Sequence, residues 1–129
     1  MGALSFLVPA EGSEGVKTFV LKTVAEAGGK TCPPVIVGVG IGGTMDKCTW
    51  LAKKALLRPI GIRNPNGFYA AMEEELLEKI NNLGIGPMGI GGRITALDVH
   101  IEYFPCHITS LPVAVCFQCH ASRHARAEL

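Results

Sequence analysis

At 129 residues the chain is long enough for one hydrophobic core and short for two ordinary domains. Hydrophobic residues make up 48% and charged ones 18%, against the about 25% charged fraction usual in soluble domains, which points to a face covered by a partner. Twelve basic and eleven acidic side chains leave a net charge of +1, and no Lys/Arg cluster with interleaved aromatics could follow a phosphate backbone, which argues against nucleic acid as a partner.

The N-terminus, MGALSFLVPA, lacks the positive start and small-residue cleavage site of a signal peptide, and Phe6 stands where a myristoylation start needs Ser or Thr. The longest apolar runs, Val35 to Val39 and Val113 to Phe117, fall far below the roughly 20 residues that span a bilayer. A cytoplasmic location without a membrane partner is the expectation. The five cysteines then read as reduced thiols, ligands or buried small hydrophobes rather than disulfides.

Residues 13–27, SEGVKTFVLKTVAEA, place Val16, Phe19, Val20, Val24 and Ala27 on one face at helical spacing, with Ser13 as N-cap and Gly28-Gly29 as the stop. Thr31-Cys32-Pro33-Pro34 follows, and Pro33 drives Cys32 toward an extended backbone that leads into the buried strand PVIVGV. A helix is expected from about Thr44 to Leu57, with Leu51, Ala55 and Leu56 inward and Pro59 ending it. Asn64-Pro65-Asn66-Gly67 carries turn chemistry. FYAAMEEELLEKINNLG is a further helix stopped by Gly84, with Glu73-Glu74-Glu75 as its solvated face.

The stretch GIGPMGIGG is too glycine-rich to be regular. RITALDVHIEYF and SLPVAVCFQC read as strands, separated by Pro105-Cys106-His107-Ile108-Thr109 and followed by a short basic tail. The pattern predicts an α/β fold: a single domain with a small mixed sheet, flanked by helices and two glycine-rich loops. The echo of GIGG at 40–43 and 89–92 suggests backbone closely approaching something small.

Gly38, Gly40 and Gly43 fit G-x-G-x-x-G between a strand and a helix, the context of a dinucleotide site. The acidic residue expected about 20 positions later is missing, and Arg58 and Arg63 occupy that region. Tight packing, or helix-start N–H groups facing an anionic ligand, are the other readings of these glycines. CFQCH, residues 116–120, matches the C-x-x-C-H of covalent haem attachment, which normally needs an exported chain. With Cys106 and His107 it offers zinc ligands at poor spacing, and as a redox pair it lacks a helix start to activate Cys116. His100 and His124 read as ordinary histidines and Cys48 as a packed thiol.

Taken together, CPPVIVGVGIGGTMDK, LAKKALLRPIG, NLGIGPMGIGG and CHITSLPVAVCFQCHASRHARAEL resemble the α subunit or α region of iron–sulfur hydro-lyases of the class I fumarase and tartrate dehydratase type, from about Glu11 onward. The resemblance implies a 4Fe-4S cluster held by three cysteines, two of which map to Cys32 and Cys119; C-x-x-C-H is then coincidental. The third belongs to an N-terminal α portion, so residues 1–129 correspond to the C-terminal part of the α region. It also implies a β subunit or β domain as partner and a dicarboxylate such as malate/fumarate or tartrate as substrate.

By the same resemblance His107 aligns with an active-site histidine able to bind substrate or shuttle a proton. Its place at a bend before the last strand is expected to aim the ring toward Cys119. Gly42, Gly43 and Gly91 would let backbone N–H groups approach cluster or substrate carboxylates. The alternative is a catalytically incomplete fragment or subunit-binding domain without an intact cluster.

Overall fold

In the computed structural model, which describes residues 1–129, four strands form one mixed sheet between two helical layers. The strands are β1 (Gly2–Leu7), β2 (Val35–Gly42), β3 (Ala96–Phe104) and β4 (Leu111–Gln118), in the spatial order β1-β4-β2-β3. The helices are α1 (Gly12–Ala27), α2 (Met45–Ala55) and α3 (Gly67–Asn81). β2 and β3 run parallel, whereas β4 is antiparallel to both β2 and β1. No helix is long and apolar enough to cross a membrane.

Side-chain alternation along the strands assigns the two faces. Val35, Val37, Val39 and Ile41 of β2 join Val113 and Val115 of β4 under α1 and α3, which contribute Val16, Val20, Leu76 and Ile80 to the same core. On the other face α2 supplies Cys48 and Ala52, packed against Ala114 of β4. There β2 carries glycine. A Cβ on Gly38 would lie 2.3 Å from the Ala52 carbonyl oxygen, and one on Gly40 2.1 Å from that of Cys48, so bare Cα positions let α2 rest directly on the strand. Because β2 is buried on both faces, it reads as an unbroken run of apolar residues and glycine.

Three local expectations are corrected. The strand β1 lay within the stretch read only for targeting signals, yet it pairs with β4 along its whole length. Helix α1 starts two residues earlier than a Ser13 cap implies, with Glu11 at the N-cap and no side-chain cap; Ser13 lies inside the helix, and the Glu11 carboxylate instead turns back to accept the Val8 N–H at 2.8 Å. Glu73 is not on a solvated face. It is fully buried, paired with Arg58, and accepts the backbone N–H of Asn64 at 2.7 Å.

That carboxylate belongs to a polar seam laid along the free edge of β3 by the segment joining α2 to α3. Arg58 donates to the Ile101 carbonyl at 2.8 Å and pairs with Glu102 at 3.0 Å. Arg63 donates to the Val99 carbonyl at 3.3 Å and pairs with buried Asp98. Asn64 adds a second donor to Ile101 at 2.8 Å. Side chains thus take the place of a fifth strand and remove an exposed ladder from solution.

Candidate functional site

The predicted site residues divide between the two ends of the sheet. At the end where β2 and β3 begin and β4 finishes, Cys32 precedes β2 and Cys119 follows β4. Cys32 is not extended as proline at the next position suggested; it is left-handed, with φ of 57°. Its conformation is fixed from several sides. The Cys32 N–H donates to Gly29 at 3.1 Å, and the Pro33 carbonyl accepts from Met88 at 2.8 Å. Both the backbone N–H and the ring Nδ1 of His120 bond the Cys32 carbonyl, at 3.3 and 3.1 Å.

Cys119, immediately before His120, is thereby brought beside Cys32, although Cys32 and His120 lie 88 positions apart in sequence. Both thiols are free and half-buried. The second glycine loop closes this end: a Cβ on Gly89 would stand 2.5 Å from the Gly29 Cα, so the two backbones pack with no room for a side chain. Gly91 lies in this loop with φ of 99°, and its N–H is bonded to the Ile85 carbonyl at 2.8 Å.

His107 lies at the opposite end, in the turn between β3 and β4. The eight residues of β4 separate it from Cys119, a span of roughly 26 Å at strand rise. The expectation that its ring points toward Cys119 is therefore wrong for this chain, because a straight strand carries the residues on either side of it to opposite edges of the domain. His107 Nδ1 is instead 2.8 Å from the Thr109 hydroxyl. It borders a cavity of about 360 Å³ whose walls include Ser13, Val16, Ile41, Tyr69 and Leu111.

Gly42 and Gly43 stand at this same end. Gly42 has φ of 87°, and a Cβ there would meet the Phe104 carbonyl oxygen at 1.8 Å, so close passage of β3 demands glycine. The Gly43 N–H donates to Pro105 at 3.2 Å. At the start of α2 the chain's own Asp46 supplies a carboxylate, held below its ordinary value by the Thr44 hydroxyl and then by the Lys47 N–H. Cys48 is walled off beneath Gly40, to whose carbonyl its thiol donates at 3.3 Å; burial pushes it up to about 11 and keeps it protonated. His100 is fully buried and satisfied by the Ala55 carbonyl and by Asp98 at 3.2 and 3.0 Å.

Two soft sulfur donors on neighbouring, rigid backbone fit two positions of an iron–sulfur centre. No third His, Cys, Asp or Glu gathers with them into a metal-holding group, so a three-cysteine cluster would need its last ligand from outside these residues. Sequence reasoning missed His120, which stood out only as the end of CFQCH. Its significance lies in a bond to a residue far away in the chain, which no local pattern reveals.

The fumarate hydratase (Fumerase) family model matches residues 1–128, so the chain belongs to that family, and the match includes β1 ahead of Glu11. Among curated relatives, a putative L(+)-tartrate dehydratase subunit alpha of Methanocaldococcus jannaschii is 62% identical over 125 residues, covering 97% of this chain and 44% of that protein. L(+)-tartrate dehydratase subunit alpha of Escherichia coli K12 is 43% identical over 122 residues, covering 95% of this chain and 40% of the relative. The chain thus spans less than half the length of these relatives.

Proposed function

We propose that this chain is part of a 4Fe-4S-dependent hydro-lyase that reversibly dehydrates a 2-hydroxy dicarboxylate, residues 1–129 forming the C-terminal portion of its α region. The relatives named for L(+)-tartrate favour that substrate over malate. The observation that carries the reading is the joining of Cys32 and Cys119 at one end of the sheet by His120. Bound there, the cluster would offer an iron without a protein ligand as a Lewis acid toward a substrate hydroxyl and carboxylate. Cys32 and Cys119 hold it, and Gly29 and Gly89 let the second glycine loop pack tightly beside Cys32. The third cysteine comes from an N-terminal α portion, and further acid–base and binding groups from a β subunit. Five free thiols suit a reducing cytoplasmic compartment.

His107 is proposed as a substrate-binding or proton-transferring residue of the assembled enzyme. Because β4 separates it from Cys119, it cannot serve a substrate held at its own chain's cysteine end. A site using His107, Cys32 and Cys119 together must be completed by another polypeptide copy.

Anaerobic reconstitution with iron and sulfide tests the reading. The 129-residue chain alone is expected to turn over neither L(+)-tartrate nor malate, and adding the N-terminal α portion and β subunit is expected to restore dehydration. In that assembly Cys32→Ser and Cys119→Ser should each abolish the cluster's visible absorbance and EPR signal, since a hard serine oxygen replaces a soft thiolate poorly, while Cys116→Ser leaves them intact. Assembly without a cluster or activity would instead establish a subunit-binding domain.

A further inference from the structure

We propose that His120 is a positioning residue whose ring locks the backbone of Cys32 against that of Cys119 and so sets the spacing of the two thiols. The bearing on cluster chemistry rests on the function proposed above; the clamp itself rests on geometry alone. Cys32 is one of only two non-glycine residues in the chain with positive φ. An L-residue in this region carries a conformational cost and persists only where surrounding contacts determine it, and such positions concentrate at functional sites.

The contacts around Cys32 differ in what they join. Its own N–H bonds Gly29 within the preceding turn, and Met88 holds the neighbouring Pro33 from the glycine loop. The hydrogen bonds that join the Cys32 segment to the exit of β4 both come from His120, and the shorter is the one from the ring, 3.1 against 3.3 Å. A carbonyl oxygen only accepts, so ring Nδ1 carries the proton. The imidazole thus acts as a fixed donor, the arrangement by which groups behind a metal centre orient its ligands. Any drift of the Cys32 carbonyl would move its thiol relative to Cys119, because the side chain and carbonyl share one Cα.

The test uses the full 129-residue chain without cluster, in a Cys106→Ser/Cys116→Ser background, and follows cross-linking of Cys32 to Cys119 by dibromobimane, which fluoresces when both ends have reacted. His120→Ala is expected to slow this cross-link about tenfold, the effect of losing one net hydrogen bond, with the melting temperature little changed. His120→Asn, whose amide nitrogen can reach the Nδ1 position, is expected to restore the rate to within about threefold of the parent. An Ala variant that cross-links at the parental rate overturns the proposal, as does a parent in which the two thiols do not cross-link, or an Asn variant no faster than Ala at equal melting temperature. Failure of cluster reconstitution in the assembly with the N-terminal α portion and β subunit, when the 129-residue parent cross-links normally, would remove the hydro-lyase reading and leave the clamp standing.

Discussion

The carboxylate of Glu73, on α3 and wholly removed from solvent, accepts the backbone N–H of Ile101, on the outer strand β3, at 2.7 Å. One helix side chain thereby performs the work of a missing strand, while Arg58 neutralises it and reaches on to the Ile101 carbonyl at 2.8 Å.

Truncating that carboxylate leaves the backbone N–H groups of Asn64 and Ile101 without partners and takes the buried counter-charge from Arg58, which keeps only Glu102 and the Ile101 carbonyl. Glu73→Ala is expected to cost about 3–5 kcal/mol, the range for breaking one side of a buried pair, read as a lower urea midpoint at unchanged slope. Glu73→Gln, which keeps the shape and one acceptor, should cost clearly less. Equal losses in the two variants would mean that packing, rather than hydrogen bonding along the β3 edge, supplies the effect.

Asp98 gives the fold an acid limit. Burial would raise its carboxyl, but hydrogen bonds from His100, the Gly61 N–H and Arg63 more than offset this and hold it well below the ordinary 3.8. A depressed folded value means that its contribution is fully present above the ordinary value and is lost as pH falls below it. Melting temperature followed from pH 7 to about 3 should therefore drop most steeply below about pH 4. Asp98→Asn should start lower at neutral pH and decline less in acid; parallel profiles for parent and variant would refute the assignment.

The cysteines should separate by reactivity. Cys48 is buried with its thiol pushed up to about 11, whereas Cys106 is exposed. Iodoacetamide at pH 8 should modify Cys106 in the folded chain and reach Cys48 only after denaturant is added, as mass spectrometry of the digested protein would show. A raised value also makes the Cys48 contribution complete below the ordinary 9.0 and lost as pH rises through about 11. Labelling of Cys48 at the Cys106 rate in native buffer would show that α2 does not stay seated on β2.

Seating of α2 depends on the bare Cα of Gly40. Gly40→Ala puts a methyl group 2.1 Å from the Cys48 carbonyl oxygen and 2.7 Å from the Ala52 nitrogen, both backbone atoms that cannot rotate away. The expected loss is about 1–3 kcal/mol or more, as in overpacked cores. Gly67→Ala, with nothing within 4 Å, is the control and should be nearly silent.

Much of this architecture was legible. Apolar periodicity located all three helices to within a few residues, and β2, β3 and β4 followed from runs such as VIVGV and LPVAV. The buried polar seam was not, since Arg58, Glu73 and Asp98 have the composition of surface residues and become buried only because β3 lies at the sheet edge. β1 was missed because GALSFL is short and only half-buried, so its pairing depends on β4 more than a hundred residues later. At the candidate site, the cysteine pair came from family resemblance, and the sheet register puts the backbone of both residues at one end of the sheet. Register also separated His107 from them, since linear nearness says nothing about which end of a strand a turn occupies.

The pairing of β1 with β4 sets an order of events during synthesis. Loop closure between segments so distant in sequence is slow, and within residues 1–129 the strand partner of β1 is Leu111–Gln118, made last of the four strands. Until then GALSFL, uncharged and free of proline, is an open template for any other extended chain. Nascent chains stalled before β4 should therefore be the species most prone to aggregate and the ones that most need chaperone protection, whereas a finished chain buries one edge of that strand permanently.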